Sequence, residues 1–146
     1  MTTKITLLAC LASTLYMTGV IAVVQVVHYP LFARVDPSAF PRYHSEHIRL
    51  IGLVVMVPMA VELVTSGLLV VRRPDGTSPG LALAGLAAVL ATWVITAVWS
   101  VPSHDRLAWG FDATAHQTLV WTNVLRALGW VAHSVTVLIM TGRALR

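Results

Sequence analysis

ITLLACLASTLYMTGVIAVVQVV, Ile5 to Val27, carries no charged residue, and at 1.5 Å per residue a helix of that length crosses a hydrocarbon core of roughly 30 Å. It reads as a membrane span kept in the mature protein, because a cleaved signal peptide has a shorter apolar stretch ending in a small-x-small site. Three further runs read the same way: Leu50 to Val71, interrupted by Pro58 and Glu62; Leu81 to Val101, closed by Pro102; and about Thr118 to Met140. Arg72-Arg73-Pro74-Asp75-Gly76 is a turn between the second and third. The expected fold class is all-α: an integral membrane four-helix bundle with a polar interior and structured outer connections, a single domain over residues 1–146.

Composition supports this. Of 146 residues, 57% are hydrophobic and 11% charged, with a mean hydropathy of +0.78, whereas a soluble domain carries about a quarter charged residues. The one cysteine, Cys10, excludes an intrachain disulfide framework and a CxxC motif. No basic cluster exceeds Arg72-Arg73, so nucleic acid is not an expected partner. Lys4, Arg72, Arg73, Arg143 and Arg146 against Asp75 fall on the face holding both termini. The opposite face holds Arg34, Arg42, Arg49 and Arg106 against Asp36, Glu46, Asp105 and Asp112. The positive-inside rule therefore predicts both termini in the cytoplasm, with the inner membrane of a bacterium as the location. No internal repeat is visible.

In the outer connections, Asp36-Pro37 reads as a helix cap followed by a first-turn proline, with Pro41 bending or delaying the start. Asp112 is a similar cap for the fourth helix, Ser103 the start of a short amphipathic turn through Leu107 and Trp109, and Trp109 and Tyr43 interfacial anchors. At 100° per residue each span has one polar stripe: Thr14, Thr18, Gln25 and His28; His44, His47, Glu62, Thr65 and Ser66; Thr92, Thr96, Trp99 and Ser103; His116, Asn123, Arg126, Trp130 and His133. Turning the stripes inward gives the polar interior. Serines and threonines there are expected mostly to bond their own backbone. Glu62 and Arg126 differ, because an ionised group near the bilayer centre costs at least ~2.5 kcal/mol. They are expected to pair, with Asn123 as a neutral companion, and to line a substrate or proton site. Trp99, Trp121 and Trp130 are candidate walls for a flat apolar substrate.

His28, His44, His47, His104 and His116 all fall at the outer ends of spans or in the outer connections. His44 and His47, three apart, share a helical face and can ligate one ion. His104 and His28 complete a candidate set, with His116 in reserve. An imidazole-rich site without thiolates suits copper or iron ahead of zinc.

The stretches HYPLF (His28 to Phe32), FPRYHSEHIRLI (Phe40 to Ile51), VPMAVEL (Val57 to Leu63), VPSHDRLAWGFD (Val101 to Asp112) and LVWTNVLRALGW (Leu119 to Trp130) together resemble a group of four-span bacterial membrane proteins similar to the anthrone-oxygenase-like family. The resemblance covers most of the chain and rests on His44, Glu62, Pro102 to His104, and Asn123 with Arg126. It implies addition of oxygen to a hydrophobic, often polycyclic or polyketide-derived substrate.

The resulting expectation is a membrane oxidoreductase, an oxygenase or epoxidase for a lipophilic, polyketide- or quinone-like substrate. In it His28, His44, His47 and His104 hold a transition metal, Glu62 serves as base or proton relay, and Arg126 with Asn123 polarises a substrate oxygen. The alternatives are a small proton- or metal-coupled carrier, a cofactor-free anthrone-type oxygenase, and a noncatalytic assembly subunit. Expected partners are the lipophilic substrate and membrane lipid; a homo-oligomer is left open.

Overall fold

The computed structural model describes residues 2–146 and contains, among them, four helices long and apolar enough to cross a membrane: α1 (Thr3–Phe32), α2 (Phe40–Val71), α3 (Pro79–Leu107) and α4 (Ala113–Ala144). This is a multi-pass membrane protein. The helices run up and down, and α1 packs on α2, α2 on α3, α3 on α4 and α4 back on α1, closing an all-α bundle. Both termini and the α2–α3 turn lie at one end, here the terminal end; the α1–α2 and α3–α4 connections lie at the far end.

Local chemistry sets the helix limits. Thr2, Ser78 and Asp112 accept from the backbone N–H groups of Ile5, Leu81 and Ala115, capping α1, α3 and α4. Gly76, at φ 72°, makes the turn between α2 and α3. The expected cap at Asp36 is not one. Its carboxylate accepts from the Ser38 N–H and hydroxyl, which closes a separate turn, and α2 starts at Phe40 with Pro41 in its first turn. The start is thus delayed past Pro37 to the turn that holds Pro41.

Two spans run further than the apolar runs suggest. α1 continues through Pro30 and α3 through Pro102, so Ser103 to Leu107 is the end of α3 and not a separate turn. A proline inside an α-helix removes a hydrogen bond and clashes with the carbonyl four residues back. Each of these prolines is preceded by a π-helical turn, Val24–His28 in α1 and Thr96–Ser100 in α3, which inserts one residue and changes the register. The two hairpins therefore share a plan that the sequence does not display as a repeat.

Inside the bundle three apolar layers alternate with polar ones. Phe32, Phe40, Leu107 and Leu119 fill the far end, Met17, Ile21, Met59 and Trp130 the middle, and Leu7, Leu69, Val137 and Met140 the terminal end. α3 and α4 approach closely at Gly129, where a Cβ would stand 2.7 Å from Thr92 Cγ2. The surface is apolar on all four helices, with Val26, Leu53, Val57, Val94, Trp121 and Leu128 turned outward. The indole of Trp109, 92% exposed at the far-end tip, suits the interfacial anchor expected of it.

Candidate functional site

The polar stripes face inward except where a π turn shifts the phase. His44, His47, Glu62, Thr65 and Ser66 on α2 are buried, as are Asn123, Arg126, Trp130 and His133 on α4. On α3 the regular 100° step brings Trp99 inward, but the inserted residue turns Trp99 out, 45% exposed, and Ser100 in. On α1 the same shift buries Tyr29 beside His28. Trp121 is also outward, so of the three tryptophans expected to wall a pocket only Trp130 is internal. The threonines behave as expected: the Thr18, Thr65, Thr96 and Thr122 hydroxyls each donate to a carbonyl of their own helix.

Between the far-end and middle layers lies a cavity of ≈ 170 Å³ that reaches all four helices. Its polar lining is Tyr29, His47, Thr96, Ser100, His104 and Arg126; the rest is Ile21, Val24, Ile48, Ile51, Gly52, Val55 and Val101. The structure brings together His28, His44, His47 and His104, with the ring centroids of His47 4.6, 6.3 and 5.8 Å from those of His28, His44 and His104. They stand as two hydrogen-bonded pairs. His28 Nε2 and His47 Nδ1 are 2.7 Å apart, and His44 Nε2 and His104 Nδ1 3.1 Å. The Tyr29 hydroxyl meets His104 Nε2 at 3.3 Å. Phe32 packs its ring at steep angles on His28, His44 and His47, and Phe40 stacks on His44, so aromatic packing fixes the imidazole planes.

Two nitrogens on one tetrahedral ion stand roughly 3.3 Å apart, so the His28–His47 contact is short for a shared metal. Among the described residues no three His, Cys, Asp or Glu side chains converge as a metal site. His116 is used otherwise: its Nε2 donates to the Tyr29 carbonyl at 2.8 Å and so satisfies the end of α1.

Three residues lining the cavity keep a buried polar atom without a partner: His47 Nε2, Ser100 Oγ and Arg126 Nε. Arg126 donates to Asn123 Oδ1 at 3.2 Å, and Asn123 donates to Gln25 Oε1, at the π turn of α1, at 2.8 Å. His47 also lines a shallow apolar groove of ≈ 250 Å³ between α1 and α2, shared with His28.

Glu62 is elsewhere. The expected Glu62–Arg126 ion pair is not formed; instead both engage Trp130. The indole N–H donates to Glu62 Oε2 at 2.8 Å, and the Arg126 guanidinium lies 5.2 Å from the ring centroid. On the terminal side of Trp130, Glu62 Oε1 is 3.7 Å from His133 Nε2, which also meets Ser66 Oγ at 3.3 Å and Cys10 Sγ at 3.7 Å. A cavity of only ≈ 10 Å³ remains there. Sequence reasoning missed Tyr29 and Ser100. Pro30 and Pro102, each in the middle of a helical pattern, are the signal that locates the register shifts.

Comparison with models of known protein families, with curated proteins and with solved structures finds no match.

Proposed function

We propose that the chain is an integral membrane oxidoreductase, an oxygenase for a lipophilic substrate that reacts in the far-end cavity. The observation that carries this reading is the cavity's combination of apolar walls with an unpartnered imidazole nitrogen, His47 Nε2, and a buried guanidinium. That pairing supports base-assisted reaction with dioxygen, one route to the oxygen addition that the resemblance implies. His47 Nε2 takes a proton from a methylene carbon acidified by a neighbouring carbonyl or phenol, while His47 Nδ1–H passes its own proton to His28 Nε2. The electron pair left behind spreads to a substrate oxygen facing Arg126, whose charge stabilises it. Dioxygen takes that pair and a proton to form a substrate hydroperoxide. Loss of water from the hydroperoxide leaves a carbonyl, so one oxygen atom ends in the product and the other in water. Asn123, held by Gln25, positions Arg126.

The second reading keeps copper or iron on His28, His44, His47 and His104, and the closeness of the four rings favours it. It requires both imidazole hydrogen bonds to open. Oxygen uptake by detergent-purified protein, with anthrone as probe, tests the two. Uptake that persists in metal-free protein and disappears in His47→Ala supports the base-assisted route; uptake lost to a chelator and restored by copper or iron supports the metal; no uptake overturns the oxygenase reading.

The orientation belongs to the same proposal. Lys4, Arg72, Arg73, Arg143 and Arg146 at the terminal end support cytoplasmic termini in a bacterial inner membrane. A C-terminal reporter active only outside the cell would overturn it.

A further inference from the structure

We propose that the far-end cavity is built for a lipophilic anion: an amphiphile whose single-ring head carries a carboxylate or phenolate, and whose apolar remainder lies in the bilayer between α2 and α3. The inference rests on the reading of this cavity as the substrate site and names the substrate class. It begins with Arg126, which is 6% exposed and lies within a membrane span. Its side chain donates to the neutral Asn123, the Tyr29 hydroxyl beside it is likewise neutral, and its Nε has no partner. Among the described residues the ion pairs are Arg49–Glu46 and Arg106–Asp112, both elsewhere.

A guanidinium out of water requires an opposite charge or a dense set of acceptors. The face of Trp130 supplies part of this. The nearest candidate counter-ion, Glu62, is engaged on the terminal side of that same indole. No aspartate or glutamate lines the cavity, and the Ser100 hydroxyl waits there as a further donor. An incoming anion completes this set.

The size of the space narrows the ligand. An apolar cavity of ~150 Å³ holds one benzene ring, so ≈ 170 Å³ takes in one ring and leaves the rest of a longer or fused-ring molecule protruding. Ile48 of α2 and Val101 of α3 line the cavity and are also exposed on the lipid-facing surface, 39% and 48%. The opening is therefore lateral. Gly52, in the same wall, leaves open space where a Cβ would stand.

The test uses the full chain in phosphatidylcholine nanodiscs at neutral pH, with 4-octylbenzoate as probe and 4-octylbenzamide as its neutral counterpart. The benzoate is expected to bind at least about tenfold more tightly, and Arg126→Gln to bring the two within about twofold, as loss of a charge-assisted contact requires. Gly52→Leu, which fills the entrance, is expected to weaken both and serves where the Gln variant does not fold. Equal affinity for the two probes overturns the anion site. Displacement of the benzoate by added phosphatidylglycerol would assign the site to a phospholipid headgroup and overturn the ring-headed ligand; no displacement supports it. A benzoate preference without oxygen uptake from anthrone would sink the oxygenase reading alone. Uptake without the preference would sink the anion inference alone.

Discussion

The two halves of the bundle bury similar chemistry and do different things with it. Each has imidazole in contact with other polar side chains: His47 and His104 in the far half, His133 with Glu62, Ser66 and Cys10 in the terminal half. The far half encloses ≈ 170 Å³ and leaves three lining atoms without partners. Around His133 the terminal half leaves ≈ 10 Å³, room for at most one water, so its own unpartnered atoms, Glu62 Oε1 and His133 Nδ1, have no space beside them for a ligand. The helices are regular α in the terminal half and carry both π turns in the far half. Buried polarity becomes a site only where packing leaves space beside it.

The largest expected effect breaks the comparison if it fails. His47→Ala should lower turnover by about 10²–10⁴-fold, the usual worth of a general base, while His133→Ala should stay within about threefold because it faces the closed half. Steady-state oxygen uptake on both variants, with helix content by circular dichroism as the folding control, decides this. Glu62→Gln comes next: separated from the cavity by Trp130, it is expected to change turnover by less than about threefold. A loss like that of His47→Ala would join the two halves into one reaction centre.

Trp130→Phe sharpens the boundary between the halves. It keeps a ring beneath Arg126 but removes the hydrogen bond to a buried carboxylate, a loss of roughly 1.5–3 kcal/mol. Thermal unfolding in detergent should therefore shift downward with only a small change in turnover.

The smallest effect concerns the far-end connections. The Ser38 hydroxyl and N–H hold Asp36 below the usual carboxylate range, and the Ala115 N–H, with Arg106 beside it, does the same for Asp112. A carboxylate depressed on folding stabilises the folded form fully above its unfolded value of about 4 and loses that contribution as pH falls through the lower, folded value. Acidification through that window should loosen both connections before the spans. Amide hydrogen exchange at Ser38 and Ala115 would show it, and Asp112→Asn, an equally good cap without the charge, should abolish the dependence at Ala115.

Much of this was legible in the sequence. Four apolar runs dictated four spans, and the inward stripes of α2 and α4 followed from regular periodicity, because those helices keep it across Pro58 and throughout α4. The gathering of His28, His44, His47 and His104 followed from their shared end. The pairing of Glu62 with Arg126 did not hold, because charge balance says that a partner is needed but not which one lies at the right depth, and Trp130 stands between them. The inward turn of Tyr29 and Ser100 escaped for a different reason. A fixed angular step per residue cannot register an extra residue within a turn.

The π turns also have a genetic meaning. Each holds one residue more than a regular α turn, so the parts of α1 and α3 inside and outside it answer differently to a change in chain length. Removing a single residue within Thr96–Ser100 would return α3 to an even winding and leave everything beyond it facing as it does, whereas removing one from the regular stretch before Thr96 would rotate everything beyond it by about 100° and carry His104 away from His44. A deletion of that kind reaches the chemistry through the length of the chain, without changing the identity of any side chain in the site.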